Sequence, residues 1–416
     1  MTTATTRNTL PTDHVPGLPG LPVAGLPAAP RPDILRYTEG PLFAGVTRDG
    51  DRIDLARHRA LWGELPTSDL DGLAGYADAA GLRGAGGAGF PTARKLRSMQ
   101  GRRVTQVIIN GNEGEETSAK DGQLLRHVPH QVLDGAALVA HATGTRRVVV
   151  RLAHDRPEVV SAVRQALSER SDRGISWKLS VDEHRFVSGE ANAVIRGVSG
   201  GDALPHDLGR PPSDPRPRLG KKGSVFLSNV ETFARLSLAT RGVRPTSALV
   251  TLSGAVASPG VYEVPTSWTA AQVVARAGLL TDPDLVITGG WHGRWVPWAR
   301  LAACPLGWDA FEAVGARWGA GVLVVLPPGI PPRQVLTAIA NRLAGESAGQ
   351  CGPCVLGLPA LARELARGGS GESVATEIDG RGLCAHPTAT VAAVRSALTV
   401  LGDAPSSDRT TGRGRA

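Results

Sequence analysis

Residues 81–95 read GLRGAGGAGFPTARK, with glycine at positions 84, 86, 87 and 89. A backbone with so little Cβ bulk takes positive φ and lies flat against a ligand, which suits a phosphate or flavin cradle; the plainer reading is a tight structural loop. Gly84, Gly86 and Gly89 satisfy G-x-G-x-x-G, a pattern that carries meaning only after a strand. Here Leu70, Leu73, Ala74 and Ala77 recur at helical spacing behind Ser68 as N-cap, so the loop joins helix to helix and an ordinary Rossmann site is disfavoured. Pro91 suits the first turn of a following helix, whose free N–H groups would face an anion, and Lys95 adds a positive charge about one turn in. A second stretch, Asn110-Gly-Asn-Glu-Gly-Glu-Glu-Thr-Ser and then Lys120-Asp121, leaves the end of a β-branched run, where α/β proteins bind ligands; a solvated acidic loop is its alternative. The third is Cys351-x-x-Cys354 with Cys384 further along, a spacing that lets the thiolates converge on one metal centre, against the alternative of three unligated thiols.

These residues need a scaffold, and 416 residues of which 41% are hydrophobic and 20% charged suffice for two or three domains with buried cores. Residues 1–45 form a proline-rich lead, with Pro11, Pro16, Pro19, Pro22, Pro27, Pro30, Pro32 and Pro41, expected to run extended over a neighbour and given no chemistry. Residues 46–246 alternate strands (104–109, 147–152, 177–181) with helices such as 157–168, which implies an α/β sandwich. Residues 247–331 begin with a hairpin, 249–256 and 261–264 about Ser258-Pro259-Gly260, and a short helix over 269–277. Residues 332–402 carry three apolar helical stripes: Val335, Leu336, Ile339 and Leu343; Leu358, Leu361 and Leu365; Val391, Val394, Leu398 and Leu401. A basic tail, 403–416, is expected to be disordered. The net charge of +8 comes from scattered arginines without interleaved aromatics, which argues against a nucleic-acid surface. No run approaches the ~20 apolar residues of a membrane span, and no basic start leads into an apolar segment. Four cysteines are too few for a disulfide scaffold, so a cytoplasmic, reducing compartment is expected.

The glycine stretch resembles GLRGRGGAGFPTGxKW, the flavin-loop signature of the NADH-binding, FMN-containing 51 kDa subunit of respiratory complex I and its relatives in soluble hydrogenases and formate dehydrogenases. The resemblance continues in order: the 110–121 segment is similar to NxDExEPGxxKDR, Pro129-His130 with Asp134-Gly135 to PHxLxEG, Phe186-Val-Ser-Gly-Glu-Ala-Asn to YxCGEET, and Leu227-Ser-Asn-Val-Glu-Thr to NNVET. It implies a non-standard Rossmann-like flavin domain, a small β-grasp domain after it, and a C-terminal helical bundle holding an iron–sulfur cluster. It assigns FMN and NAD(H) to Gly84, Gly86, Gly87, Gly89, Phe90, Lys95, Asn110, Asn112, Glu113, Glu115, Gly189, Glu190, Ser228, Asn229 and Thr232.

The chain departs from the family pattern where charge is concerned. Ala85 replaces the loop arginine, Asn112 an aspartate, and Ala191 the second glutamate of GEE. Where the family has SCGxCxPC, Ala348 replaces the first cysteine, so Cys351, Cys354 and Cys384 remain as metal ligands. Cys304 lies outside the bundle segment, whereas His386 follows Cys384 by two residues. The open readings are a [4Fe–4S] cluster with a non-cysteine fourth ligand, a [3Fe–4S] cluster, or a Cys3His zinc site. The implied activity is electron transfer from NADH through FMN and the cluster to a ferredoxin-like or other redox partner. The alternatives are a non-catalytic assembly subunit and a flavoprotein fed by a ferredoxin-like protein.

Overall fold

The computed structural model describes residues 17–23, 28–47, 50–183, 185–205 and 223–402; Pro11, Pro16, Pro27 and the basic tail lie outside them. Strands β1 (Leu18–Pro19) and β2 (Ala28–Ala29) pair in parallel, and β3 (Leu35–Thr38) follows. Helices α1 (Leu55–Trp62), α2 (Leu70–Ala79) and α3 (Thr92–Arg97) lead into β4 (Val104–Gly111). Asp69, and not Ser68, caps α2: its carboxylate accepts the Gly72 N–H at 2.8 Å, while the Ser68 hydroxyl donates to the Asp69 carbonyl. After β4 come α4 (Lys120–His127), α5 (Pro129–Thr143), β5 (Arg147–Ala153), α6 (Pro157–Ser168), β6 (Ser176–Asp182), α7 (Ala191–Val198), β7 (Ser224–Asn229) and α8 (Val230–Ala239).

The four long strands form a parallel sheet in the order β6-β5-β4-β7. Val107 and Ile109 of β4 enter the large core under α5 and α8, and Ile108 meets Val194, Ile195 and Val198 of α7 on the other face. A strand buried on both faces has no use for alternation, which is why these strands read as β-branched runs. Helices α5 and α8 approach so closely that a Cβ on Gly135 would lie 2.0 Å from the Phe233 carbonyl oxygen. Gly135→Ala is therefore expected to destabilise the fold by about 1–3 kcal/mol; a wild-type unfolding midpoint in a denaturant titration would contradict that contact.

The second sheet is mixed. It contains β8 (Ser247–Gly254), β9 (Gly260–Pro265), β10 (Leu285–Thr288), β11 (Arg294–Pro297) and β12 (Val322–Val325), with α9 (Ala270–Arg276), α10 (Trp298–Leu301) and α11 (Trp308–Ala313) between them. Thr269 and Gln272 exchange hydrogen bonds as a capping box at the start of α9. The order is β11-β10-β12-β8-β9-β3, so a strand of the proline-rich lead closes one edge by pairing in parallel with β9. Glu263 of β9, fully buried, accepts the Leu42 and Phe43 N–H groups and the Ser247 hydroxyl, and fixes the lead there.

The C-terminal helices are α12 (Pro332–Gly345), a π-helical turn (Pro353–Gly357), α13 (Leu358–Ala366), α14 (Glu372–Ile378) and α15 (His386–Leu401). Their stripes share one core with Val322 and Val324 of β12 and with Leu18, Leu21 and Val23 of the lead; Leu401 packs at its margin. Leu323 and Val325 point the other way, into the core that α9 and α11 cover. No described helix is long and apolar enough to cross a membrane. The architecture is thus mixed α/β with a parallel sheet, and the crevice at the carboxyl ends of β4 and β7 faces both the second sheet and the helical bundle.

Candidate functional site

The loop after α2 doubles back on itself: the Gly84 N–H donates to the Phe90 carbonyl at 2.8 Å, and the Ala85 N–H to the Thr232 hydroxyl at 3.0 Å. Between these ties the N–H groups of Gly86, Gly87, Ala88 and Gly89 meet no protein acceptor among the described residues. Gly87 and Gly89 adopt φ of +101° and +63°. A Cβ on Gly89 would also lie 2.7 Å from the Trp308 ring, so glycine is required there twice over. The loop does join helix to helix, but Pro91 sits at the cap position before α3, and the Thr92 N–H donates to Leu82 instead of facing a ligand.

A cavity of about 530 Å³ opens beneath this loop. Its walls include Gly84, Gly86, Gly87, Phe90, Lys95, Asn110, Asn112, Glu113, Glu115, Gly189, Glu190, Ser228 and Asn229, from four separate stretches of the chain. Gly89 and Thr232 stand behind the wall, one under Trp308 and the other holding Ala85. Phe90 is exposed at the mouth. Lys95 lies over the Phe226 ring, with no carboxylate partner among the described residues, and burial pushes its ammonium down to about 8.

The floor is built from amides and glycines. Asn110 donates to the Gly189 carbonyl at 2.8 Å and accepts the Asn112 N–H; Asn112 donates to the Ser188 hydroxyl at 2.9 Å. A Cβ on Gly189 would lie 2.6 Å from the Asn112 carbonyl oxygen, and one on Gly114 2.4 Å from that of Phe186, so only glycine allows the two segments to meet. Asn112 is buried, and its Oδ1 has no hydrogen-bond partner among the described residues.

The carboxylates divide by partner. Glu113 is buried, which opposes ionisation, yet Arg156 at 2.8 Å, Arg31 and Lys120 outweigh this and hold it down to about 2. It is a structural anion. Lys120 is itself neutralised by Asp121 at 2.7 Å and Glu231 at 3.0 Å, and Asn229 donates to Asp121 while capping α8. Glu115 is raised by burial; its carboxyl accepts from Thr117 and from the Trp291 N–H, and so is held against the second sheet. Glu190 is pushed up to about 7 by burial, opposed by hydrogen bonds from the Cys384 thiol and the Ala385 N–H. It links the cavity to the cysteines.

Two contributors lie outside every motif. Arg31, on the lead to which no chemistry is assigned from sequence, donates to the carbonyls of Glu113, Glu115 and Ser118 at 2.9, 3.1 and 2.8 Å and clamps the acidic loop. The second sheet supplies Gly289, His292, Arg317, Gly319 and Ala320 to the cavity wall. Phe186, His292 and His386 form an aromatic cluster between cavity and bundle, with centroids 4.9 Å apart for Phe186–His292 and His292–His386. A local pattern gives no signal for Arg31 or for the second-sheet residues.

Cys351, Cys354 and Cys384 converge where the π-helical turn meets α15. The Cys351 thiol hydrogen-bonds Cys354, whose sulfur also receives the Ala348 and Gly349 N–H groups, and the His386 N–H approaches Cys384. Burial raises Cys354 to about 11 and Cys384 to about 12, so without metal these two are neutral thiols. Among the described residues no three Cys, His, Asp or Glu side chains stand close enough to share one metal ion. The chemistry of the three thiols is compatible with a cluster or with a Cys3His site. As cluster ligands the cysteines would supply three corners of a cube, and Ala348 offers nothing to the fourth. Cys304, buried elsewhere with its thiol donating to Ala310, takes no part.

Comparison with known proteins agrees with both halves of this site. Residues 77–237 match the Nuo51 FMN-binding domain, and residues 334–404 the NADH-ubiquinone oxidoreductase-F iron–sulfur binding region. The chain is 29% identical over 354 residues to the F 2 subunit of NADH-quinone oxidoreductase of Rhizobium meliloti (strain 1021), covering 77% of this chain and 82% of the relative. To the F subunit of the Escherichia coli (strain K12) NADH-quinone oxidoreductase it is 25% identical over 405 residues, covering 88% and 89%. Its fold superposes on a chain of an NAD+-reducing [NiFe]-hydrogenase in the H2-reduced state with a TM-score of 0.74 at 24% identity, over 90% of this chain and 68% of that one. With an FMN-binding and an iron–sulfur module matched in the order in which they frame the cavity and the cysteines, the chain is similar in both modules to NADH-quinone oxidoreductase F subunits.

Proposed function

We propose that the protein is a flavin- and iron–sulfur-dependent electron-transfer oxidoreductase that takes reducing equivalents from NADH and delivers single electrons to a redox partner. The observation that carries this reading is one cavity lined by Gly86, Gly87 and Ala88, whose N–H groups meet no acceptor among the described residues, by Lys95, which has no carboxylate partner among them, and by Asn112 with its Oδ1 unpartnered. FMN bound there supplies hydride acceptance and one-electron release. Among the cavity residues, the loop N–H groups and Lys95 would hold its phosphate, and Asn110, Asn112, Ser228 and Asn229 would hold the rest of the group. Phe90 at the mouth offers a face for the nicotinamide. Glu190, in contact with both the cavity and Cys384, lies between the flavin site and the three cysteines that would hold the cluster. We assign the FMN site to residues 46–246, a β-grasp-like module to 247–331 and the cluster domain to 332–402, with a cytoplasmic setting that suits free cysteines.

The rival reading, a non-catalytic assembly subunit, draws on Ala85, Ala191 and Ala348, each of which removes a charge or a ligand. One experiment separates the two. Anaerobically purified, FMN-loaded protein mixed with NADH in a stopped-flow instrument is expected to bleach at the flavin maximum, more slowly than relatives that keep the loop arginine. An unchanged spectrum, with or without ferredoxin-like partners, would favour the assembly role.

A further inference from the structure

Apart from Lys95, one other cation on the cavity wall lacks a carboxylate among the described residues. The remaining basic groups around the site are engaged: Lys120 with Asp121 and Glu231, Arg156 with Glu113 and Asp33, and Arg31 with three carbonyls. Arg317 belongs to the turn between α11 and β12 and reaches across from the second sheet to the glycine loop, where its Nη2 makes a long 3.4 Å hydrogen bond to the Gly87 carbonyl. Its backbone is fixed, because its N–H donates to the Thr288 hydroxyl at 3.0 Å. A Cβ on Gly289 would lie 2.9 Å from the Arg317 carbonyl oxygen, and one on Gly319 2.8 Å from the Gly289 Cα. The side chain therefore starts from a rigid two-glycine corner and ends over the loop, close to position 85, where an alanine stands.

Resting on the reading above, we propose that Arg317 binds the pyrophosphate of the nicotinamide nucleotide. A guanidinium left without a carboxylate at the edge of a ligand cavity has its donors available for a second anion, and its planar fork matches phosphoryl oxygens. Lys95 and the loop N–H groups account for one phosphate, that of the flavin. Phe90 and Arg317 line the same cavity, so a nucleotide whose nicotinamide met Phe90 would have its pyrophosphate, one ribose away, within the part of the cavity that Arg317 shares with Gly87. The anchor thus comes from a different module than the flavin site, so nucleotide recognition depends on the second sheet being docked against the loop.

The test uses full-length, FMN-loaded protein and two non-reducible probes, ADP-ribose and adenosine, with affinities measured by titration calorimetry. Arg317→Ala is expected to weaken ADP-ribose at least about tenfold, with adenosine binding and FMN content unchanged, and Arg317→Lys to recover part of the loss. Arg317→Gln, which keeps a donor for Gly87 without the charge, serves if the alanine variant sheds FMN. Wild-type affinity in the variants, equal weakening of both probes, no ADP-ribose binding by the wild type, or FMN loss in the glutamine variant as well would each overturn the proposal. Failure of the NADH reading is seen separately: a wild-type flavin that NADH does not bleach, with ADP-ribose binding still dependent on Arg317, retires the electron donor and keeps the anion site.

Discussion

Lys95→Ala is expected to weaken FMN binding by about 1.5–3 kcal/mol, the contribution of a charge-assisted hydrogen bond in a partly dry site, so that flavin is lost during dilution or gel filtration. The lysine has no carboxylate partner among the described residues, and burial lowers its ammonium to about 8. The sign follows from that: the cation persists below about pH 8 and is lost above it, and only the cation attracts the phosphate. FMN affinity of the wild type is therefore expected to be flat below that pH and to decline above it, approaching roughly tenfold per pH unit. The alanine variant should show the low affinity at every pH. Fluorescence titration of the apoprotein with FMN from neutral to alkaline pH measures both curves. Parallel curves for wild type and variant would remove Lys95 from the phosphate site, and an apoprotein that takes up no FMN at all would remove the flavin assignment.

The second large effect concerns position 348. The buried thiols of Cys354 and Cys384 titrate near 11 and 12 and stay protonated at neutral pH, and a bound cluster would deprotonate them and tie the π-helical turn to α15. With no thiolate at the fourth corner, one iron is expected to be labile, so aerobic preparations should contain the three-iron form or lose metal. Ala348→Cys is expected to raise iron retention toward a complete four-iron cluster, since the Ala348 N–H already approaches the Cys354 sulfur. Iron quantification with electron paramagnetic resonance, before and after exposure to air, distinguishes the variants. Stoichiometric zinc would replace the iron assignment, and metal-free protein from strictly anaerobic purification would abolish the site.

The residues that line the cavity were largely legible in the sequence because their patterns are local. A glycine loop, an Asn-rich strand end and a Cys-x-x-Cys are set by neighbours a few positions away, and thirteen of the positions read there line one cavity. The α/β layering was legible for the same kind of reason, since strands buried on two faces read as β-branched runs, whereas their parallel order came from the structure. Which groups keep charge was not legible. Glu113, Glu115 and Glu190 are the same residue type within one pocket, yet one is pinned as an anion by Arg156 and Arg31 while the other two are raised by burial with no cation against them. Only the fold brings Arg31 from the lead to the acidic loop, carries β3 to the edge of the second sheet, and swings Arg317 over Gly87 from 230 positions away. Local sequence sets backbone propensity and donor type; the electrostatics of a buried site depend on distances between segments far apart in the chain, and those are decided by packing.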